Sequence, residues 1–301
     1  MVANQGLLFT TVLSVALAGS SLALAQSPGL APPAAKATIE QASKPAPGYL
    51  QSSAIPDTFV VLPPPPTPNT GEDAERVDHD AYIATRKLQG TPRWALAARD
   101  AVQTPVAVAA DFDCALGVDL GPQTAPITLK LLARVRADAS AITNFPKDRF
   151  QHPRPFVTYG GPICTEDDRK ALAKSWSYPS GHTTMSWAYG LILAELAPGH
   201  ATEILARARA YGESRVVCGV HTVSDVEAGR VNGSALVAAL HADPQFRADL
   251  DAARGEMTAL LSQAGGPPAA RQCTVERQAM ERTPWLEPRK PAPDVPSPPK
   301  T

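Results

Sequence analysis

Three short stretches hold the residues whose types and spacing can do chemistry together. Lys147 is followed after six residues by Arg154-Pro155; Pro179-Ser180-Gly181-His182 comes next; Ser214-Arg215 is then followed by His221 and, four positions on, Asp225. The set supplies three cations, two imidazoles and one carboxylate. A phosphate monoester carries up to two negative charges. Its transfer requires those oxygens to be held and neutralised, a nucleophile in line and a proton for the leaving oxygen. The planar fork of arginine pairs two oxygens at once, so Arg154 and Arg215 are assigned to the phosphoryl oxygens, with Lys147 as a point charge. Metal ligation is not expected from this set.

Each stretch also has an ordinary structural explanation. Lone cations are usually solvated, but Pro153 and Pro155 fix the backbone around Arg154. Ser180 reads as an N-cap, and Gly181 leaves a backbone amide open to close approach. A helix N-terminus with free amides binds anions, so Ser180 and Gly181 are assigned to phosphate and His182 faces the same pocket; the plain alternative is a cap followed by an exposed histidine. His221 and Asp225, spaced four apart, would share a helix face. A carboxylate on one ring nitrogen fixes the tautomer and leaves the other nitrogen as nucleophile; the plain alternative is a surface hydrogen bond. Gly219 is expected to break the helix so that Arg215 and His221 converge. His79, His152, His200 and His241 lack such partners in sequence, and His152 is treated as peripheral.

The elements that must position these residues read as helical. Thr91-Pro92 is an N-cap with a proline in the first turn. Pro126 opens a helix with Ile127, Leu131 and Val135 on one face, and 181–196, 201–217 and 223–240 keep helical spacing of apolar residues. Asp243-Pro244 starts another helix, stopped by Gly265-Gly266-Pro267-Pro268. Gly229 and Gly233 mark either a close helix contact or chance. No alternating strand pattern of useful length is present, so an all-α, single-domain bundle is predicted. Asn232-Gly233-Ser234 matches a glycosylation sequon but falls in a packed helix and is read as chance.

With 301 residues, 44% of them hydrophobic, the chain can bury a sizeable core, and a net charge of −1 excludes a global field favouring nucleic acid. Residues 1–25 read as a cleaved signal peptide, although no Lys or Arg precedes the apolar run; no later stretch approaches a membrane span. A periplasmic or secreted location follows, and there the four cysteines, Cys114, Cys164, Cys218 and Cys273, suggest two disulfides. Three pairings are open, with buried free thiols as the alternative. Expected boundaries are 1–25 for the signal, 26–57 for a flexible Ala/Pro-rich segment, 58–265 for the helical domain and 266–301 for a Pro-rich tail. The proline run Leu62 to Pro66 should lie extended over the domain.

The three stretches resemble the signature of the phosphatidic acid phosphatase type 2 superfamily, Lys-x6-Arg-Pro, Pro-Ser-Gly-His and Ser-Arg-x5-His-x3-Asp, at every position. Arg154-Pro155-Phe156, Ser177 to Thr183 and Glu213 to Gly219 are similar to secreted bacterial class A nonspecific acid phosphatases, and the resemblance covers roughly 58–262. It implies an all-helical fold related to the vanadium haloperoxidases and hydrolysis of small phosphate monoesters through a phosphohistidine, without metal or other cofactor. In that scheme His221 is the nucleophile, Asp225 orients it and His182 is acid then base. Lys147, Arg154, Ser180, Gly181 and Arg215 bind phosphate. Inorganic phosphate or vanadate should then inhibit, transfer to alcohols is open, and relatives often dimerise, which leaves a homo-oligomer open. An acid pH optimum is expected from the two imidazoles. Rival readings are a vanadium haloperoxidase, a lipid phosphate phosphatase and a non-enzymatic phosphate-binding protein, which would need the cations but not both histidines.

Overall fold

The computed structural model describes residues 46–263 and 270–281, together with Met1. The expected signal peptide, most of the Ala/Pro-rich segment, the Gly265 to Pro268 stop and the tail beyond residue 281 lie outside the described residues. Secondary structure is helical throughout, with no strand among the described residues. The helices are α1 (Asp73–Arg86), α2 (Pro92–Arg99), α3 (Pro105–Ala110), α4 (Asp113–Leu116), α5 (Pro126–Phe150), α6 (Pro155–Thr158), α7 (Arg169–Leu172), α8 (Gly181–Leu196), α9 (Ala201–Val217), α10 (Val223–Leu240), α11 (Pro244–Gln263) and α12 (Ala270–Glu281). No helix among the described residues is long and apolar enough to cross a membrane.

Helix α8 is the central post, packed by α5, α9, α10 and α11. Its apolar residues face all round, so Met185, Ala188, Tyr189, Ile192, Leu193 and Leu196 are all buried. Closeness to α10 depends on Gly229 and Gly233. A Cβ at Gly229 would sit 2.8 Å from the Ser180 carbonyl oxygen, and one at Gly233 2.7 Å from that of Thr184. The packing reading of these glycines therefore holds. Asn232 between them is fully buried and donates to Thr143 and Thr184 hydroxyls, each at 3.2 Å, so the sequon is not a surface feature.

Helix α5 carries Pro146 in its last turns. A proline there cannot donate to the carbonyl of Ile142; that oxygen instead accepts from the buried Thr58 hydroxyl at 3.4 Å. Ile127, expected on the buried face with Leu131 and Val135, is 43% exposed. It occupies the first turn of α5, where the neighbouring Thr128 and not Ile127 is turned inward, and its backbone amide donates to Glu256.

Packing extends beyond the boundaries expected at 58 and 265. Tyr49 is buried edge-on against Phe246, its amide donates to Asp138 at 2.7 Å, and Arg134 lies 3.6 Å over its ring. Leu62 is buried and the Pro63 carbonyl accepts from Tyr178 at 2.6 Å, which docks the proline run behind the loop that leads to α8. At the other end α12 is tied by Cys114–Cys273, while Cys164–Cys218 closes the second bridge. One of three open pairings is thereby selected. Cys273 places the buried Glu276 against Arg207 at 3.2 Å and against Arg99. Arg207 in turn pairs with Asp100 at 2.6 Å and Asp111 at 3.2 Å. This charge cluster lies directly beneath the Ser214-Arg215 turn.

Candidate active site

His221 is brought into place by the end of α9 and the start of α10. Gly219 takes φ +82°, a conformation that suits glycine, and ends α9. Cys218 beside it is bridged to Cys164, whose amide also donates to the Cys218 carbonyl at 2.9 Å. The turn carrying Val220 and His221 is thus clamped on one side. On the other, Thr222 caps α10 in a reciprocal box with Asp225: the Asp225 amide donates to the Thr222 hydroxyl at 3.2 Å and the Thr222 amide to Asp225 Oδ2 at 2.9 Å. His221 therefore precedes the helix, in contrast to the shared helix face read from its spacing. The capping box, not helical periodicity, brings the two side chains together.

The contact itself is direct. His221 Nδ1 lies 3.0 Å from Asp225 Oδ2, and Arg154 Nη1 lies 3.2 Å from Nε2. Arginine can only donate, so the network assigns the proton to Nδ1 and leaves the Nε2 lone pair facing Arg154. Burial, reinforced by Arg154 and opposed by Asp225, pushes the His221 pKa down to about 3. Burial works against Asp225, but His152 and His221 outweigh it and hold the carboxyl well below the usual range. The result is a neutral imidazole paired with a carboxylate, both buried.

Two residues that were not assigned to the site join it. His152 Nδ1 lies 3.4 Å from Asp225 Oδ1, which corrects the reading of His152 as peripheral. The Ser177 hydroxyl donates to Asp225 Oδ2 and lies 3.3 Å from His221 Nδ1. Both belong to one paired segment, since the Ser177 amide donates to the His152 carbonyl at 2.8 Å. The local signal was present in sequence, because His152 and Ser177 fall beside Arg154 and Ser180, but nothing local tells which distant carboxylate they reach.

The cations converge from three elements. Arg154 caps α6, and its guanidinium is held by the Leu172 and Val220 carbonyls at 3.1 and 2.9 Å and by Ser175. Lys147, near the end of α5, donates to the Trp176 and Ser177 carbonyls at 2.7 and 2.8 Å; burial, with Arg154 adding to it, pushes its pKa down to about 7. Arg215 is 2% exposed, and its Nε and Nη1 make no hydrogen bond among the described residues. Burying donors without partners is costly, whereas an anion would satisfy both. Ser214, its neighbour, turns the other way: its hydroxyl donates to Asp100 at 2.6 Å and accepts from Arg93 at 2.9 Å. Ser214 thereby fixes α9 on the charge cluster below.

Ser180 caps α8, accepting from the Thr183 amide at 3.4 Å, and its own amide donates to the Asp225 carbonyl at 2.9 Å. Gly181 and His182 follow in the first turn. His182 Nδ1 accepts from Gln103 at 2.7 Å, which leaves Nε2–H to face the Ala101 carbonyl at 3.3 Å. Burial first, then the charge of Arg215, lowers its proton affinity well below the ordinary histidine value. Gln103 was missed because it lies in the connection after α2, with no pattern around it. The eight assigned residues, seven by side chain and Gly181 by its backbone, thus lie around one end of α8. Among the described residues, no group of three or more His, Cys, Asp or Glu side chains is arranged to hold a metal.

Residues 128–249 match the PAP2 superfamily. The chain is 41% identical to an acid phosphatase of Zymomonas mobilis over 74% of its own length and 83% of that protein. It is 38% identical to a non-specific acid phosphatase of Providencia stuartii over 70% of this chain and 85% of the relative, and 36% identical to one of Salmonella typhimurium over 64% and 78%.

Proposed function

The chain belongs to the PAP2 superfamily, and from that premise we propose that it is an acid phosphatase hydrolysing phosphate monoesters through a phosphohistidine at His221. One observation carries this reading: a buried neutral imidazole whose Nδ1 is held by Asp225 presents its Nε2 lone pair to a pocket of cations. Nε2 attacks phosphorus opposite the ester oxygen; the P–N bond forms as the P–O bond breaks. Lys147, Arg154 and Arg215, with the Ser180 hydroxyl and the Gly181 amide, hold the nonbridging oxygens and supply charge stabilisation in the transition state. No metal is invoked, because three cations and a helix N-terminus already supply that charge. Asp225 stabilises the imidazolium that develops. His182 protonates the departing alkoxide. It then takes a proton from water, which attacks phosphorus, breaks the P–N bond and releases inorganic phosphate. An alcohol in place of water gives phosphotransfer.

Proton supply decides the pH range. His182 holds its proton weakly in the free protein, while a phosphate monoester keeps its second proton up to about pH 6. A substrate monoanion with neutral His182 carries the same proton count as a dianion with charged His182. An acid optimum follows. The two disulfides fit an oxidising compartment, in line with a periplasmic or secreted location. Inorganic phosphate and vanadate should compete for the same donors.

Rapid trapping of the acid-labile P–N bond, with the quench kept alkaline, tests the reading. Turnover of a labelled ester, quenched and mapped by peptide, should place phosphate on His221. His221→Ala should abolish turnover while keeping most of the affinity for inorganic phosphate. Undiminished turnover in that variant would refute the mechanism.

A further inference from the structure

A cleft of about 170 Å³ opens beside the site along one face of α5. Lys147 and Gly181, both assigned to phosphate, form its inner end, with Gln103 next to them. Arg136, Ser140 and Asn144 carry its polar edge outward. Spacings of four and eleven residues set Arg136, Ser140 and Lys147 on one helix face. Ala139, Met185 and the methyl of Thr143 give an apolar floor, and no Asp or Glu among the described residues lines the cleft. Arg136 is half-buried, and its guanidinium makes no hydrogen bond or ion pair among the described residues. Arg134, near it in the chain, is otherwise occupied: it lies on Tyr49 and pairs with Asp249.

We propose that this cleft is the leaving-group subsite and that Arg136 selects phosphate esters of polyols bearing a second anionic group, as in a sugar bisphosphate. The inference rests on the phosphatase reading and adds a substrate class to it. An apolar floor flanked by hydroxyl and amide groups suits a sugar ring, which has apolar faces and polar edges. Charge chooses among sugars, since a cleft with a cation at each end and no carboxylate favours a leaving group that is itself anionic. Geometry sets the span. Arg136 and Lys147 are about 16 Å apart along the helix axis. Both side chains lean toward the N-terminus of α5, so the heads keep about that separation; an anion seated against each head inside the span leaves roughly 10 Å between the scissile phosphate and the second anion, the span of a hexose bisphosphate.

The test compares fructose 1,6-bisphosphate with fructose 6-phosphate on the full chain, with Arg136→Ala, Arg136→Glu and Arg136→Lys alongside wild type. The wild-type ratio of kcat/KM, bisphosphate over monophosphate, is expected at about ten, equal to about 1.4 kcal/mol. It should fall to about two in Arg136→Ala, the factor left by having two esters, and lower in Arg136→Glu, while Arg136→Lys keeps most of it. Added salt should shrink the wild-type ratio, because the subsite is open to solvent. A ratio that is the same in all four proteins overturns the subsite. Failure of the wild type to hydrolyse either sugar ester while it turns over an aryl phosphate likewise overturns the subsite, whereas failure on the aryl phosphate with no label trapped at His221 overturns the phosphatase reading itself.

Discussion

Replacing Lys147 by arginine should change the slope of the alkaline limb of the pH profile. Desolvation among the Trp176 and Ser177 carbonyls, aided by Arg154, brings Lys147 down to about 7. A lysine with a depressed pKa is charged below that value and neutral above it, so the free protein loses one of the charges proposed to bind phosphate as pH rises through 7. Neither imidazole sets this limb, because His221 sits at about 3 and His182 well below its ordinary value. The substrate titrates too, losing its monoanion above about pH 6. Two independent losses multiply, so log kcat/KM should fall with slope about −1 between pH 6 and 7 and about −2 above it. Arginine stays protonated throughout this range, so Lys147→Arg should keep slope about −1 to the end.

The magnitude is accessible. At pH 8 a lysine of pKa about 7 is charged in roughly one molecule in eleven, so the ratio of Lys147→Arg to wild-type kcat/KM should rise about tenfold between pH 6 and pH 8. Near the optimum the variant should lose about tenfold, because a planar fork cannot reproduce both carbonyl contacts of the ammonium. In the complex the bound monoanion opposes deprotonation: unit charges about 4 Å apart at an effective dielectric of 20 interact by about 4 kcal/mol, or roughly three pH units. The second break should therefore be seen in kcat/KM and not in kcat. Initial rates with an aryl phosphate, at constant ionic strength from about pH 4 to 9, measure both. A variant profile with the same break near 7 and the same limiting slope would show that another group titrates there.

Arg215→Ala should cost about a thousandfold in kcat/KM and Arg215→Lys about tenfold to a hundredfold, since lysine restores charge but not two parallel donors; equal losses would disprove bidentate binding. His152→Ala should lower kcat about tenfold with little change in KM, because Asp225 keeps Thr222, Ser177 and His221 as partners and only its Oδ1 side is stripped, with His152→Gln recovering part of the loss; a rise in KM alone would mean that His152 acts on binding. Cys114→Ser/Cys273→Ser opens a loop of 159 residues, worth up to about 5 kcal/mol of chain entropy by loop length; a loss of about 3 kcal/mol should lower Tm by about 6–12 °C, and a change under about 2 °C would mean that α12 stays docked through Glu276 alone.

What could be read from sequence was whatever a local rule fixes. Helices α8, α9, α10 and α11 announce themselves through apolar spacing, and α8 also through Ser180 as its cap, whereas the Thr222 cap of α10 went unread. Helix α1 does not: it is polar, and its N-cap, Glu72, makes no side-chain cap bond. Helix α12 is a short polar segment whose place is set by a cysteine partner 159 positions away, and no periodicity encodes that. The site divides in the same way. His221 and Asp225 were legible as a pair, but the reason first given for their meeting was not the operative one. A helix face would have let the two side chains drift with helix rotation. A capping box ties Asp225 Oδ2 to the backbone of Thr222, so the carboxylate held against His221 is also the group that starts the helix. Ser177 and His152 then reach the same carboxylate from a segment whose link to it is purely tertiary. Removing Asp225 would thus cost α10 its first turn as well as His221 its partner, and Asp225→Asn, which keeps an acceptor for the Thr222 amide, separates those two roles where Asp225→Ala cannot.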